Sequence, residues 1–143
     1  MITPTNFNVK IIEEQIVRNS IIKHEVTHTI ENVTNVDHRI LTCPSGSITD
    51  LIKIGGIGAG TFPSESFEYA RITNLDSNYS VALTISGSMG SFTQEITPNN
   101  TIFLSSDKMS ISNFTGSFQS SIESLQLYPI SGSVDIEYTI VNS

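Results

Sequence analysis

The chain has 143 residues, 14 acidic against 7 basic, a formal net charge of −7, one cysteine and no tryptophan. That length suits one domain with a core large enough to stand without metals or disulfides. The acidic balance argues against nucleic acid as a partner, because wrapping phosphates needs a concentrated basic surface. No apolar run approaches the ~18 residues that span a bilayer, so no membrane partner is expected. Met1-Ile2-Thr3-Pro4-Thr5 lacks the charged and apolar regions of an export signal, so synthesis in a cytoplasm is the expectation. Abundant Ser, Thr and Asn, with few long helical patterns, give the look of an all-β protein.

Residues 6–19 read two ways. Val9, Ile12 and Ile16 fit one face of a helix capped by Asn8, and the same stretch fits a strand with Ile11 and Ile12 at a bulge. The surrounding β-branched residues favour the strand or extended arm. From Ile21 to Glu31 the chain alternates cleanly. Ile22, His24, Val26, His28 and Ile30 point one way, and Lys23, Glu25, Thr27, Thr29 and Glu31 the other. At ~3.3 Å per residue this run spans ~36 Å, twice the usual strand. A compact chain of this size is only ~37 Å wide, so the strand crosses the whole domain or runs off it onto a neighbour. An irregularity is expected at Asn32, where the alternation loses its phase.

Short strands follow, expected at His38–Cys43, Ile48–Ile54, Phe67–Asn74, Tyr79–Ser86, Ser91–Thr97, Thr101–Ser105, Met109–Phe114, Ile122–Tyr128 and Ser133–Val141. Turn-forming residues at Pro44-Ser45-Gly46, Asp76-Ser77-Asn78, Ser86-Gly87-Ser88, Pro98-Asn99-Asn100 and Ser131-Gly132 separate them. Strands at such spacing predict a β-sandwich or jelly roll over 37–143, preceded by an extended β arm over 1–36. Val81, Leu83 and Ile85 form one inward face; Ile122, Leu125, Leu127, Val134, Ile136, Tyr138 and Ile140 supply others. Ile96, Phe103, Ile111 and Phe114 are expected to complete the core. Charge divides the chain at the same place. The first 43 residues are nearly balanced and hold every histidine, whereas only Lys53, Arg71 and Lys108 oppose nine carboxylates beyond them.

Residues that suggest chemistry fail on spacing. His24 and His28 suit a zinc site on a helix, but on a strand they stand ~13 Å apart, too far for one ion, and they read instead as partly buried packing residues. Gly55-Gly56-Ile57-Gly58-Ala59-Gly60 lacks both the lysine of a phosphate loop and the dinucleotide spacing, and Pro63 follows it; a turned or flexible connection is expected. Asn74-Leu75-Asp76-Ser77-Asn78 carries calcium-type ligands yet reads more simply as a polar hairpin turn. No nucleophile elbow or paired carboxylate marks an active site, so no catalytic residue, metal or cofactor is expected and the chain reads as no enzyme. Cys43 beside Pro44 is expected as a small buried side chain. The four glycosylation sequons, starting at Asn32, Asn78, Asn99 and Asn113, match what so Ser/Thr-rich a chain produces by chance.

Ile48-Thr49-Asp50-Leu51-Ile52 and its glycine-rich sequel, Phe67 to Asp76, Tyr79 to Ile85, and Val134-Asp135-Ile136-Glu137-Tyr138 together resemble small β-rich virion proteins of tailed bacteriophages, of the marine phage type. The resemblance covers residues 48–141, and its motifs are structural. It implies a place on the capsid shell or in the tail, with other virion proteins and further copies of the chain as partners. The expected function is that of a capsid decoration or auxiliary protein docking through Ile22, His24, Val26, His28 and Ile30. The alternative is a tail or fibre protein, as an adaptor or a glycan-binding module. The absence of tryptophan weighs against the glycan platform.

Overall fold

A computed structural model describes residues 5–53, 67–118 and 120–143. The described residues are all-β, with eleven strands. In chain order these are β1 (Thr5–Val17), β2 (Ser20–Val33), β3 (Asn35–Cys43), β4 (Thr49–Lys53), β5 (Tyr69–Asn74), β6 (Val81–Gly87), β7 (Gly90–Ile96), β8 (Thr101–Leu104), β9 (Lys108–Met109), β10 (Ser120–Pro129) and β11 (Val134–Asn142).

Strands β3 to β11 form two antiparallel sheets, ordered β3-β11-β5-β8 and β4-β10-β6-β7, with the short β9 added against β10. Apart from β6 and β7, which share a hairpin, successive full-length strands lie in opposite sheets. This winding is that of an eight-stranded jelly roll. Most strands turn alternate side chains inward, with β7 contributing only Ile96 to the buried set, and the two inner faces meet in one core. Leu51, Ile72, Leu83, Ile85, Ile96, Leu125, Leu127, Ile136, Tyr138 and Ile140 are fully buried there. Cys43 belongs to that core, where burial raises its thiol pKa despite the hydrogen bond to Thr49 that lowers it.

Three expectations need correction. Of Met109–Phe114 only Met109 is in a strand, and Ile111 and Phe114 lie exposed in a turn-rich stretch where Gly116 takes a φ of 131°. Phe103 is exposed too. Its Cα partner is Arg71, on the outer face of β5, while the neighbouring Ile102 and Leu104 pack inward. The phase of a four-residue strand is set by its partner, and a one-residue change of phase sends every side chain to the other face. The polar turn after Asn74 is not a hairpin, because it carries the chain from β5 in one sheet to β6 in the other. The glycine-rich stretch 55–60, Ile54 and Pro63 lie outside the described residues.

That inter-sheet arch is held from within. The buried Asn74 donates through Nδ2 to the carbonyls of Tyr79 (2.9 Å) and Ile96 (3.1 Å), and its Oδ1 accepts from the Asp76 amide (2.9 Å). Asp76 in turn accepts from the amides of Asn78 and Tyr79, which fixes the turn. At the facing edge of the core, the buried Tyr138 hydroxyl donates to Asp37 at 3.1 Å. Its pKa is pushed up to about 12, first by burial, then by the Asp37 charge and the hydrogen bond, with Arg39 opposing. An unfolded tyrosine ionises near 10, so the fold favours the neutral phenol. This contribution is complete below pH ~10 and is lost as pH rises toward about 12. Alkaline unfolding of the wild type is expected in that window, and Tyr138→Phe should flatten it; an unchanged pH–stability curve in the variant would show that another group controls it.

Candidate assembly surface

Among the described residues, strands β1 and β2 pair only with each other, in a two-stranded sheet of their own. Their register is continuous from Phe7↔Ile30 to Val17↔Ser20. The turn is Arg18-Asn19, both residues at positive φ (47° and 68°), the backbone of a tight two-residue hairpin loop. Ile11 and Ile12 sit at no bulge. The irregularity lies on the other strand, where Glu31 and Asn32 oppose one residue of β1 and Asn32 takes a φ of 57°. A strand of 14 residues is ~46 Å long, against ~34 Å for a compact body of the remaining size.

Among the described residues, only the base of this ribbon is packed against the body. Ile30 and Val33 are buried with Tyr69 and Val141 on the outer face of the β3-β11-β5-β8 sheet, and Phe7 and Val9 pack against them. The Phe7 and Tyr69 rings meet tilted at 39°, with centroids 5.9 Å apart. Between β1 and the sheet lies a cleft of about 310 Å³, lined by Phe7, Val9, Lys10, Tyr69, Arg71 and Phe103 among others. The Arg71 guanidinium there is engaged by Glu137 (2.6 Å), Thr139 (3.2 Å) and Thr73 (2.8 Å), a network that knits the outer face of the sheet. Tyr69 has its phenol pKa raised by burial, with Arg71 lowering it.

Beyond the base the ribbon carries apolar side chains into solvent. Residues directly opposite share a face, so one face holds Ile11/Val26, Glu13/His24 and Gln15/Ile22, and the other holds Ile12/Glu25, Glu14/Lys23 and Ile16/Ile21. Ile16 is 76% exposed, Ile21 67%, Val26 59% and Ile22 44%. The second face also has a Lys10–Glu25 ion pair at 3.0 Å and a Thr29 hydroxyl donating to Asn8 at 2.8 Å. Exposed pairs of this kind contribute ~0–1 kcal/mol, too little to hold the strands together.

Of the five residues singled out on the alternating strand, the structure divides one from four. Ile30 is buried, 3% exposed, and anchors the ribbon to its own body. Ile22, His24, Val26 and His28 share its face but stand exposed, so the histidines are surface groups and not partly buried packing residues. Four residues apart on a strand, they cannot hold one ion, and no group of three metal-ligating side chains occurs among the described residues. Sequence reading missed the contribution of β1. Ile11 and Val17 add to that exposed face and Ile12 and Ile16 to the opposite one, and the two-residue spacing of Arg18-Asn19 between two apolar runs was the signal for it.

Comparison with protein family models, with curated proteins and with solved structures found no match.

Proposed function

We propose that this chain is a non-enzymatic structural protein of a tailed-bacteriophage particle, a capsid decoration or auxiliary protein that docks on neighbouring subunits through its N-terminal ribbon. The observation that carries the reading is the ribbon itself. A two-stranded hairpin is at best marginally stable in water, and this one exposes Ile11, Ile12, Ile16, Ile21, Ile22 and Val26 along both faces. An added strand or a covering surface from a neighbour removes that apolar area from water and pairs the open edges. The jelly-roll body supplies a rigid base, and the resemblance of residues 48–141 to β-rich virion proteins gives the setting. Jelly rolls also serve lectins and enzymes, so the fold enters as analogy and the ribbon as the physical argument. The protein accordingly belongs in the virion, assembled in the host cytoplasm.

Quantitative mass spectrometry of purified particles tests this. Hundreds of copies per particle are expected for a shell protein. A few to a dozen copies would place it at the portal or tail, the alternative reading, and absence from particles would overturn both.

A further inference from the structure

The ribbon has two open edges, and they differ. The outer edge of β1 over Phe7–Lys10 faces Tyr69, Arg71 and Phe103 across the cleft, so a strand added there meets the body. No such wall flanks β2 between Ser20 and His28 among the described residues, where every residue is exposed; β1 is unwalled only beyond Lys10, so β2 offers the longer open edge. Val17 and Ser20 close a two-residue loop as a hydrogen-bonded pair, so the even residues of β2 spend their backbone groups on β1. The odd residues, Ile21, Lys23, Glu25 and Thr27, turn theirs outward.

We infer that β2 pairs antiparallel with β2 of a second copy of this chain, around a two-fold axis at His24, to make a four-stranded sheet. This rests on the reading of the ribbon as a docking element and names its partner. The evidence is self-complementarity. With His24 against the partner's His24, Lys23 lies opposite the partner's Glu25 and Glu25 opposite the partner's Lys23. Ile22 lies opposite the partner's Val26 and Val26 opposite the partner's Ile22. Both charged positions thereby meet opposite charge, and both aliphatic positions meet aliphatic side chains. The outward groups of Ile21, Lys23, Glu25 and Thr27 form the ladder, about eight backbone hydrogen bonds in all.

Neighbouring registers are worse. A slip of one residue breaks the hydrogen-bond phase, and slips of two put Lys23 on the partner's Lys23 or Glu25 on the partner's Glu25. The bodies leave room for the pairing. Ile30 aligns with the partner's Arg18, twelve residues from the partner's own Ile30, so the two bases stand ~40 Å apart, more than the ~34 Å body width. The ribbon's charge is also suited to self-association. Residues 1–34 carry three cations (Lys10, Arg18, Lys23) and four carboxylates (Glu13, Glu14, Glu25, Glu31), nearly neutral beside a body that holds the remaining six negative charges.

Cysteine cross-linking of the intact chain tests the register, and the buried Cys43 stays out of the reaction. A non-hydrogen-bonded antiparallel pair has Cα atoms ~4.5 Å apart, within disulfide range. Under mild oxidation His24→Cys should give predominantly covalent dimers. Ile22→Cys and Val26→Cys should each link at least tenfold less alone, because each lies ~13 Å from its own copy, and link readily when mixed. No dimer from His24→Cys, or single variants linking as well as the mixture, would overturn the inference. Failure here with the chain still present in particles removes the second copy as the partner and leaves the docking role intact, whereas absence from particles removes the virion role alone.

Discussion

Asn74→Ala is expected to cost about 2–4 kcal/mol, more than any surface change in the molecule. Asn74 is completely buried and spends three side-chain hydrogen bonds at one arch: two donated to the carbonyls of Tyr79 and Ile96, one accepted from the Asp76 amide. Its backbone amide also donates to the Asn100 carbonyl, so strand β5, the turn before β6, the end of β7 and the turn before β8 meet at this residue. Alanine takes the second donor from the Ile96 carbonyl, which keeps its ladder bond to Val81, and removes the side-chain partners of the Tyr79 carbonyl and the Asp76 amide; part-buried groups stripped in this way cost ~1–3 kcal/mol. Asn74→Asp should be at least as harmful, because a carboxylate cannot donate to either carbonyl and brings a charge into the core. Thermal unfolding should fall by roughly 10 °C for the alanine variant. Thr84→Ala supplies the control. Thr84 and Thr93 share an exposed hydroxyl contact, and its loss should change stability by no more than about 0.5 kcal/mol. Equal effects of the two substitutions would mean that the arch does not hold the sheets together.

The legible parts of this fold were those written in local periodicity. Val81, Leu83 and Ile85 alternate cleanly, and they are buried as that pattern requires. The same holds for Val134, Ile136, Tyr138 and Ile140 on β11. The alternation from Ile21 to Glu31 likewise located β2 and the loss of phase at Asn32, where the structure has its bulge. Strand β1 was harder because the doublets Ile11-Ile12 and Glu13-Glu14 interrupt the period. Ile11 and Ile12 lie on opposite faces and both are exposed, so no single buried face wrote an alternation into the sequence. Long-range pairing left no local trace. The partner of Asn35 is Asn142, and nothing near either residue encodes the other. Phe103 shows the limit of reading a core from residue type: its strand is four residues long, and only the partner β5 decides which side chains face inward.

For the candidate surface, sequence supplied the strand and structure supplied the division of labour along it. Composition cannot say that Ile30 is spent on the body while Ile22 and Val26 are free, because all three occupy equivalent places in the alternation. The dividing line is the position of Tyr69 and Val141, which comes from the jelly-roll winding and not from the ribbon.

The second large effect is on assembly. In Ile22→Asp/Val26→Asp the chain keeps its body, since both side chains are exposed and neither touches the main core. Thermal unfolding of the body should therefore stay within about 1 kcal/mol of the wild type. Docking should respond quite differently. On any neighbour that covers this face, each aspartate puts a carboxylate where an aliphatic group leaves water, and burying an unpaired charge costs several kcal/mol. Two such sites should lower binding by well over a hundredfold. The most direct measurement is the amount of this variant recovered with purified particles when it replaces the wild-type chain. The ribbon account predicts near-complete loss from the particles with an intact, folded protein left in the soluble fraction. Recovery equal to that of the wild type would contradict it.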